Sequence, residues 1–576
     1  MTTEPSPDRS HPAAYDVLVV GGGPAGLAAA VALARSLRSV LVVDAGRPRN
    51  ATAAGIHNYL GRENVSPAEL LADGRDTLTS YGGRVETGEV TRLERLGQEP
   101  SQPWFRAELA DGRQVEARRV VVATGLTDEL PAIPGLAERW GRDVLHCPYC
   151  HGYEARGTAI GILSTTPMTA HQALLFRQLS DDVTVLTHTG PTLGDEDRER
   201  LEARGIHFVD GEVVEVLTRD DALSGVRLAS GAVVPLRNLA IAAPAVAHSA
   251  LLSDLGVEVA DFAMGDFVFG AYAVAEPTGA TSVPGLYAAG NVATIQAQVS
   301  TSAAAGLMTG ALVNAHLIEE ETTEAVARRR RTEEFWDERY REGRMHPREA
   351  NPTLVEVAGT LEAGTALDLG SGYGDDAVWL AGQGWRVVGI DVSGAAVERA
   401  RAAAEQAGVA ARATFERHDL ALTFPTGTFD LVTTHYLHAP DGLPRDEVLR
   451  RAATAVAPGG TLLVVGHASL PPWSWSDLDQ AEQQDGHGGG HGKGHRHGPG
   501  DLPSPEAVWA GLDLDEGWEV VRLAVAPRPV VGPDGEHGSM DDSVVVARRS
   551  ATSPATGAQS SAESPSSSRS TSAVSV

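Results

Sequence analysis

The sequence predicts an α/β chain built from two separate strand–turn–helix–strand units, each hinged on a glycine-rich turn. Three observations carry this. Tyr15-Asp-Val-Leu-Val-Val20 is a short apolar run that opens into Gly21-Gly-Gly-Pro-Ala-Gly26, an Ala-rich helical stretch from Leu27 to Leu37, and a second strand, Ser39 to Val43, ending at Asp44. Gly364-Thr-Ala-Leu-Asp-Leu-Gly-Ser-Gly-Tyr-Gly374 repeats the theme, with a helix from Asp376 to Gln383 and a strand from Arg386 to Ile390 ending at Asp391. Between them lie the 2 Cys of the 576-residue chain, in Cys147-Pro-Tyr-Cys-His-Gly-Tyr-Glu154. Apolar runs of this length next to glycine turns read as buried parallel strands.

The bulk numbers narrow the classes. Charged residues are 21% and hydrophobic residues 42%, an ordinary globular mix. A net charge of −29 argues against nucleic acid, whose phosphates need a basic face. No apolar run reaches the roughly 18 residues of a membrane span. Met1 to Ala14 is polar and Pro-bearing, without the charged-then-apolar pattern of a signal. One Cys pair in so long a chain is not a secreted disulfide framework. A soluble cytoplasmic protein with no membrane or nucleic-acid partner is expected.

The first glycine turn stands in the context a dinucleotide fingerprint requires: strand, G-x-G-x-x-G, helix, strand, acid. Gly21 makes the turn, Gly23 lets backbone approach a pyrophosphate, and Gly26 packs helix on strand. The helix N-terminus faces the phosphates, and Asp44 accepts from ribose hydroxyls. By itself this does not separate FAD from NAD.

The Cys pair can close a small disulfide ring and reopen it. A Cys-x-x-Cys setting lowers a thiol pKa from about 8.5 toward roughly 7, and the thiolate is the attacking species. A structural zinc site needs four ligands and there is no second Cys pair, so no metal is expected. Cys-x-x-Cys-His is also the c-type haem signature, which fits poorly with no secretion signal.

Later segments decide between the nucleotides. Arg119-Val-Val-Val-Ala-Thr-Gly125 and Pro284-Gly-Leu-Tyr-Ala-Ala-Gly-Asn291 are strands ending in small-residue turns, and the helix Gln298 to Leu317 follows. With these motifs in this order, the stretch from Tyr15 to Leu317 resembles the thioredoxin reductase family of flavoproteins. The resemblance implies two interleaved Rossmann-like domains: an FAD domain from residues 15–129 and 246–318, and an NAD(P)-binding-like domain with the Cys pair from 130–245. It implies that Gly21, Gly23, Gly26 and Asp44 hold the FAD adenosine and pyrophosphate. Asn58, Thr124, Gly125, Gly290, Asn291 and Gln298 would then serve the rest of the flavin. It makes Cys150 the flavin-facing thiol and Cys147 the exchanging one. The expected partner is a small disulfide or thiol, or a thioredoxin-like protein, and the expected assembly a homodimer.

Two residues and one motif depart from the family pattern. Position 291 usually carries Asp; Asn keeps a hydrogen bond but no charge. His151 replaces a common Asp after the second Cys; an imidazole there can shuttle a proton near neutral pH. The inserted domain lacks a second fingerprint: Thr158-Ala-Ile-Gly-Ile-Leu163 runs into Ser164-Thr-Thr-Pro-Met-Thr-Ala-His171. The strand Val183 to Leu186 ends in Thr187-His-Thr-Gly190, without the Arg residues that hold an NADPH 2′-phosphate. NADPH therefore enters as one candidate donor. The pattern also looks like a divergent branch that includes oxidases closing disulfides in small dithiols and passing electrons to O₂.

Residues 319–334 are charged throughout, including Arg328 to Arg331, and read as a solvated connector helix. A new domain, 335–549, begins at Phe335-Trp-Asp-Glu-Arg-Tyr340. Its acid precedes the glycines, in Asp368-Leu-Gly-Ser-Gly-Tyr-Gly374. Phe429 to His435 and Pro458 to Val465 supply further strands. This half resembles class I methyltransferases that use S-adenosylmethionine. The resemblance places Asp368, Gly370 and Gly372 at the methionine end, Asp391 on the ribose hydroxyls and Asp419 at the adenine amine. The Trp336 to Tyr340 segment is similar to thiopurine and tellurite-resistance methyltransferases, whose acceptors are soft sulfur, selenium or tellurium atoms. Methyl transfer to a thiolate needs placement more than a base. His435 and His438 sit where acceptors bind, or are polar loop residues. His487, His491, His495 and His497 lie in a Gly-rich run, 485–500, expected as a disordered insert, with metal capture the alternative. Residues 1–14 and the Ser-rich 550–576 are expected as disordered tails.

The expected protein is a fusion: an FAD disulfide oxidoreductase joined to an S-adenosylmethionine methyltransferase. A redox sensor whose Cys pair gates the methyltransferase is the remaining reading.

Overall fold

A computed structural model describes residues 14–97, 105–341, 349–437, 443–469, 502–531 and 537–551. The tails, the His-rich run and His438 lie outside them. The chain divides into two compact units, Met1–Thr322 and Thr323–Val576.

The first unit is built on a sheet with strand order Arg84–Thr87, Val40–Asp44, Tyr15–Val20, Gln114–Val122, Phe105–Leu109, Val90–Arg95, with Leu286–Ala288 also paired to Gln114–Val122. The pairs around Tyr15–Val20 are parallel, with Val17 opposite Val40 and Arg119. Both faces of that strand are buried from Val17 to Val20, as the apolar run there requires: Val17 and Val19 pack with Leu27, Ala30 and Leu33 of the helix Pro24–Arg35, while Leu18 and Val20 face Phe105, Leu109 and Leu286. Each such side chain contributes roughly 1.5–3 kcal/mol by burial. A second, parallel sheet is inserted, in the order His207–Val209, Val183–Leu186, Ile160–Leu163, Asn238–Ile241, Val144–Leu145. Its flanks return to the first domain, where Leu126–Asp128 pairs antiparallel with Ala245–Ala247.

The second unit has one seven-stranded sheet: Ala413–Arg417, Arg386–Asp391, Thr365–Leu369, Phe429–His435, Val456–His467, His537–Arg549, Trp518–Val531. The first five are parallel, and His537–Arg549 runs antiparallel between its two neighbours.

One element differs from expectation. The helix after Gln298 does not end near Leu317 before a separate connector: Val299–Arg341 is a single helix of 43 residues. No Gly or Pro stands between Ala311 and Arg341 to stop it. Within the first unit its Glu320 receives Arg118 at 2.9 Å and also Arg119, whose side chain is buried. Gly306 and Gly310 let the helix backbone approach Ala25 and Ala29; a Cβ on Gly306 would lie 1.9 Å from the Ala25 carbonyl oxygen. Among the described residues no helix is long and apolar enough to cross a membrane.

Candidate functional site

In the first unit a cavity of about 720 Å³ runs from the glycine turn to the Cys pair. Gly21, Gly23, Asp44, Thr124, Gly125, Asn291, Gln298, Cys147, Cys150 and His151 all line it. Gly21 adopts φ 106°, and a Cβ there would lie 2.4 Å from the Ala123 carbonyl oxygen. Gly23 has open space where its Cβ would be, leaving backbone bare at the helix start. That cradle fits a pyrophosphate. Asp44 is held from two sides, by Gly46 N–H at 3.2 Å and Arg75 Nη2 at 2.9 Å. These residues fit FAD.

Three residues expected to serve the flavin, Gly26, Gly290 and Asn58, lie off the cavity wall. Gly26 acts in packing: its Cβ would meet the Gly21 carbonyl oxygen at 1.9 Å. Gly290 takes φ 76° against Ala25. Asn58, in left-handed backbone at φ 60°, donates from Nδ2 to the Tyr149 carbonyl at 2.6 Å, so it clamps the Cys helix. Asn291 differs from Asp for a visible reason. Its Nδ2 lies 2.9–3.1 Å from the carbonyls of Thr294, Ile295 and Ala297, and a carboxylate has nothing to donate to them.

Cys147 caps the four-residue helix Pro148–His151, and both cysteines are free thiols, half-buried. The Cys147 thiol is lowered to about 6, first by the hydrogen bond from the Cys150 thiol, then by the backbone N–H groups of Cys150 and Tyr149 and the charge of Arg49, against the penalty of burial. Cys150 is pushed up by the same contact and by burial. The pair thus splits into a nucleophile and its proton-bearing partner. Gln298 Nε2 lies 3.9 Å from Cys147 Sγ. Arg49, fixed on Asp128 by a 2.8 Å bond from Nε, was not legible in the sequence as part of the site.

His151 has its Nε2 buried and without a hydrogen-bond partner. Burial, then the neighbouring His57, holds its pKa below the usual histidine value, with Glu154 pulling the other way. His57, also unflagged by the sequence, bonds Glu63 Oε1 through Nδ1 at 2.6 Å and meets the His151 ring edge-on at 6.3 Å.

The turn after Ile160–Leu163 is closed by its own side chains. Ser164, Thr166 and Thr169 are buried; Thr169 Oγ1 donates to the Thr166 carbonyl at 2.7 Å, and Thr166 Oγ1 accepts from Met168 N–H at 3.2 Å. Gly190 sits against the Ser164 carbonyl, 2.3 Å from where its Cβ would be. Where a glycine loop leaves a cradle, hydroxyls fill it, and this turn does not fit the phosphates of a nicotinamide dinucleotide.

The second unit has its own cavity, of about 280 Å³, beside the second glycine turn. Gly370, Gly372, Asp391 and Asp419 line it with Trp336, Tyr340, His435 and Tyr436. Asp391 accepts from Gly372 N–H at 3.0 Å and Ser393 N–H at 2.9 Å, and burial lifts its pKa to about 6. Asp368 lies beneath the turn, off the wall, with Oδ2 unpartnered; burial, then Asp376, Asp391 and Asp375, pushes its pKa well up. His435 is no loop residue: it ends a strand and bonds Asp376 Oδ2 from Nδ1 at 2.7 Å. Asp337 of the Trp336 to Tyr340 segment accepts from Ser393 Oγ at 2.5 Å and Ala395 N–H at 3.1 Å, tying that segment to the loop behind Asp391. The glycine turn, the carboxylate of Asp391 at its edge and the aromatic wall fit S-adenosylmethionine.

Residues 15–307 match the family model for pyridine nucleotide-disulphide oxidoreductases. The chain belongs to that family. It is 32% identical over 319 residues to "Thioredoxin reductase tcpT" of Claviceps purpurea, a match covering 53% of this chain and 94% of that protein. It is 32% identical over 215 residues to "Thioredoxin reductase aclD" of Aspergillus oryzae, covering 36% and 68%. The solved structure of HlmI aligns with TM-score 0.53 and 41% identity, over 56% of this chain and 99% of that one. Residues 366–460 match a methyltransferase domain model. The chain is therefore a thioredoxin reductase-like oxidoreductase fused to a methyltransferase. The oxidoreductase family implies FAD and a nicotinamide cofactor, and the methyltransferase domain implies S-adenosylmethionine.

Proposed function

We propose that the oxidoreductase half is an FAD-dependent dithiol oxidase for a small molecule, using Cys147 and Cys150, and that the methyltransferase half S-methylates a small thiol. The observation that carries the first part is the split Cys pair on the wall of the flavin cavity. In the proposed cycle a substrate thiol attacks Cys147 Sγ of the oxidised pair, and its proton passes to Cys150, which leaves as thiol. The second substrate thiolate then attacks its own half of the mixed disulfide and releases Cys147. FAD held in this cavity would supply the two-electron acceptor that restores the pair, with O₂ as the final oxidant. The balance is R(SH)₂ + O₂ → R(S–S) + H₂O₂.

Three features favour O₂ over NADPH, and a small substrate over a protein. The hydroxyl-filled turn at Ser164–Thr169 leaves the dinucleotide no phosphate cradle. Met168, His171, Gln172 and Leu175, which follow it, instead line the same cavity as the Cys pair. The pair is reached through that cavity, which suits a molecule of modest size. For the methyltransferase, Trp336, Tyr340, Tyr436, Leu437 and Leu443 give the acceptor end apolar walls, as a soft sulfur nucleophile requires.

The test is anaerobic titration of the purified chain. Dithiothreitol should bleach the flavin within seconds, air should restore it with one H₂O₂ per dithiol, and NADPH should leave it coloured. Rapid bleaching by NADPH would overturn the oxidase reading in favour of a disulfide reductase. With S-adenosylmethionine and a thiol panel, S-methyl products are expected; methylation confined to O or N acceptors refutes the second part.

A further inference from the structure

Among the described residues lining the second unit's cavity, Arg528 is the one Lys or Arg side chain. The carboxylates on that wall are placed differently. Asp375, Asp376, Asp391 and Asp419 sit at or just beyond the ends of Thr365–Leu369, Arg386–Asp391 and Ala413–Arg417, where a positive sulfonium and ammonium suit them. Glu349 is exposed. Arg528 comes from the opposite side of the sheet. From Thr365–Leu369 the order runs Phe429–His435, Val456–His467, His537–Arg549 and Trp518–Val531, and Arg528 is on the last strand. Four strand spacings are about 19 Å. Its side chain therefore reaches back to the cavity from the side away from Asp391, and its Cζ lies 5.2 Å from the Tyr436 ring centre. The head is firmly seated. Nε donates to Asp542 Oδ2 at 2.9 Å, and the same oxygen accepts the Tyr436 hydroxyl at 2.6 Å. Asp542 is buried, and the Tyr436 ring stacks on His467 at 4.5 Å. Tyr436 itself takes φ 49°, a left-handed backbone that a bulky residue keeps only where its surroundings over-determine it. A guanidinium is a planar fork of five N–H donors. With Nε on Asp542, its Nη edge remains, and that edge matches the two oxygens of a carboxylate.

We propose that Arg528 is the carboxylate anchor for the methyl acceptor, which makes that acceptor a small thiol acid. This rests on the S-methylation reading. The acceptor's carboxylate pairs with the Nη edge of Arg528, while Leu437 and Leu443, on the same wall, cover its carbon chain. Its sulfur is thereby held toward the glycine turn. The thiol proton goes to solvent, and the sulfur takes the methyl group as the methyl–sulfonium bond breaks. A methyl thioether and S-adenosylhomocysteine are left. Asp542 acts through Arg528, by orienting the guanidinium, and is a positioning residue.

The test compares 3-mercaptopropionate with its methyl ester on the full chain. The parent should favour the acid at least tenfold in kcat/KM. R528Q should lose roughly 10- to 100-fold on the acid, mostly in KM, so that the acid-to-ester ratio falls toward one. R528K keeps a cation beside buried Asp542; it should hold the parent's melting temperature and recover part of the ratio. Calorimetry on the chain loaded with S-adenosylhomocysteine gives the same comparison without turnover: the acid should bind more tightly than the ester, and R528Q should abolish the difference. A parent with no preference for the acid, or an R528Q that loses acid and ester equally, would overturn the anchor. So would weaker S-adenosylhomocysteine binding in R528Q with the acid-to-ester ratio intact, which would give the guanidinium to the methionine carboxylate. If neither thiol is methylated but the acid still binds through Arg528, the S-methylation reading fails and the carboxylate site stands.

Discussion

Replacing Cys150 with Ala isolates what sets the reactivity of Cys147. The hydrogen bond from the Cys150 thiol is the largest influence holding Cys147 at about 6; the backbone N–H groups and Arg49 are smaller, and burial opposes them. At pH 7 a thiol of pKa about 6 is roughly nine-tenths ionised, whereas one of about 8.5 is only a few per cent ionised. Removing the donor while keeping the helix N–H groups should raise the Cys147 midpoint to between about 7 and 8.5. Rates at one pH are a poor measure. A higher-pKa thiolate is intrinsically more nucleophilic, with a Brønsted slope near 0.4–0.5, and that recovers about tenfold of the loss. The midpoint itself is the readout. The chain has 2 Cys, so in C150A iodoacetamide reports Cys147 alone, and mass spectrometry against pH gives its midpoint without assignment. C147A serves as the mirror experiment, and its remaining thiol should titrate above an ordinary cysteine because burial raises it. A C150A midpoint still near 6 would refute the reasoning and move the cause to the backbone and Arg49.

Other expectations are as direct. G26A places a Cβ 1.9 Å from a backbone carbonyl that cannot move aside, so it should lower the melting temperature and the FAD content together. G23A meets nothing within 4 Å, so its melting temperature should be unchanged while FAD affinity falls at least tenfold, read by flavin fluorescence. N291D removes the donor to three carbonyls and should cost about 1–3 kcal/mol, seen as earlier thermal release of flavin. Asp391 has a folded pKa of about 6, raised from 3.8 by burial. Its stabilising contribution is therefore complete below about pH 4 and is lost as pH rises through about 6, a loss of up to roughly 3 kcal/mol. Urea melts of the cofactor-free chain should show the second unit weakening over that window, and D391N should flatten the slope.

How much of this could be read in the sequence follows from how far each determinant reaches along the chain. Tyr15–Val20 and Phe429–His435 have the bounds expected of them, since an apolar run between turn residues is local information. Gly21 and Gly23 declared themselves because strand, turn and helix are contiguous. The pairs that build the sites are not local. Asp376 meets His435 across 59 positions, Arg49 meets Asp128 across 79, and Asn58 reaches Tyr149 across 91. No periodicity encodes such contacts, which is why the bond from Asn58 to the Cys helix was not legible. Helix continuity failed for the opposite reason. The composition shift at Glu319 reads as a boundary, but charge does not break a helix, and nothing else there does.

The departures from the family pattern are more informative than the agreements. Asn291 for Asp is compensated within a few residues, by the Thr294–Ala297 turn it holds. His151 for Asp is not compensated in that way. Its Nε2 remains buried and unpaired, and the ring edge-on to it, His57, is itself pinned to a carboxylate. An Asp at 151 in the same desolvated place would sit near Glu154 and hold its proton tightly, whereas burial favours the neutral form of an imidazole there, which can accept a proton. The hydroxyls closing the Ser164–Thr169 turn alter the same cavity from its other side. A reductase fed by NADPH has no need of the first change and is harmed by the second. An enzyme that must strip protons from an incoming dithiol, and that gives its electrons elsewhere, needs the first and loses nothing by the second.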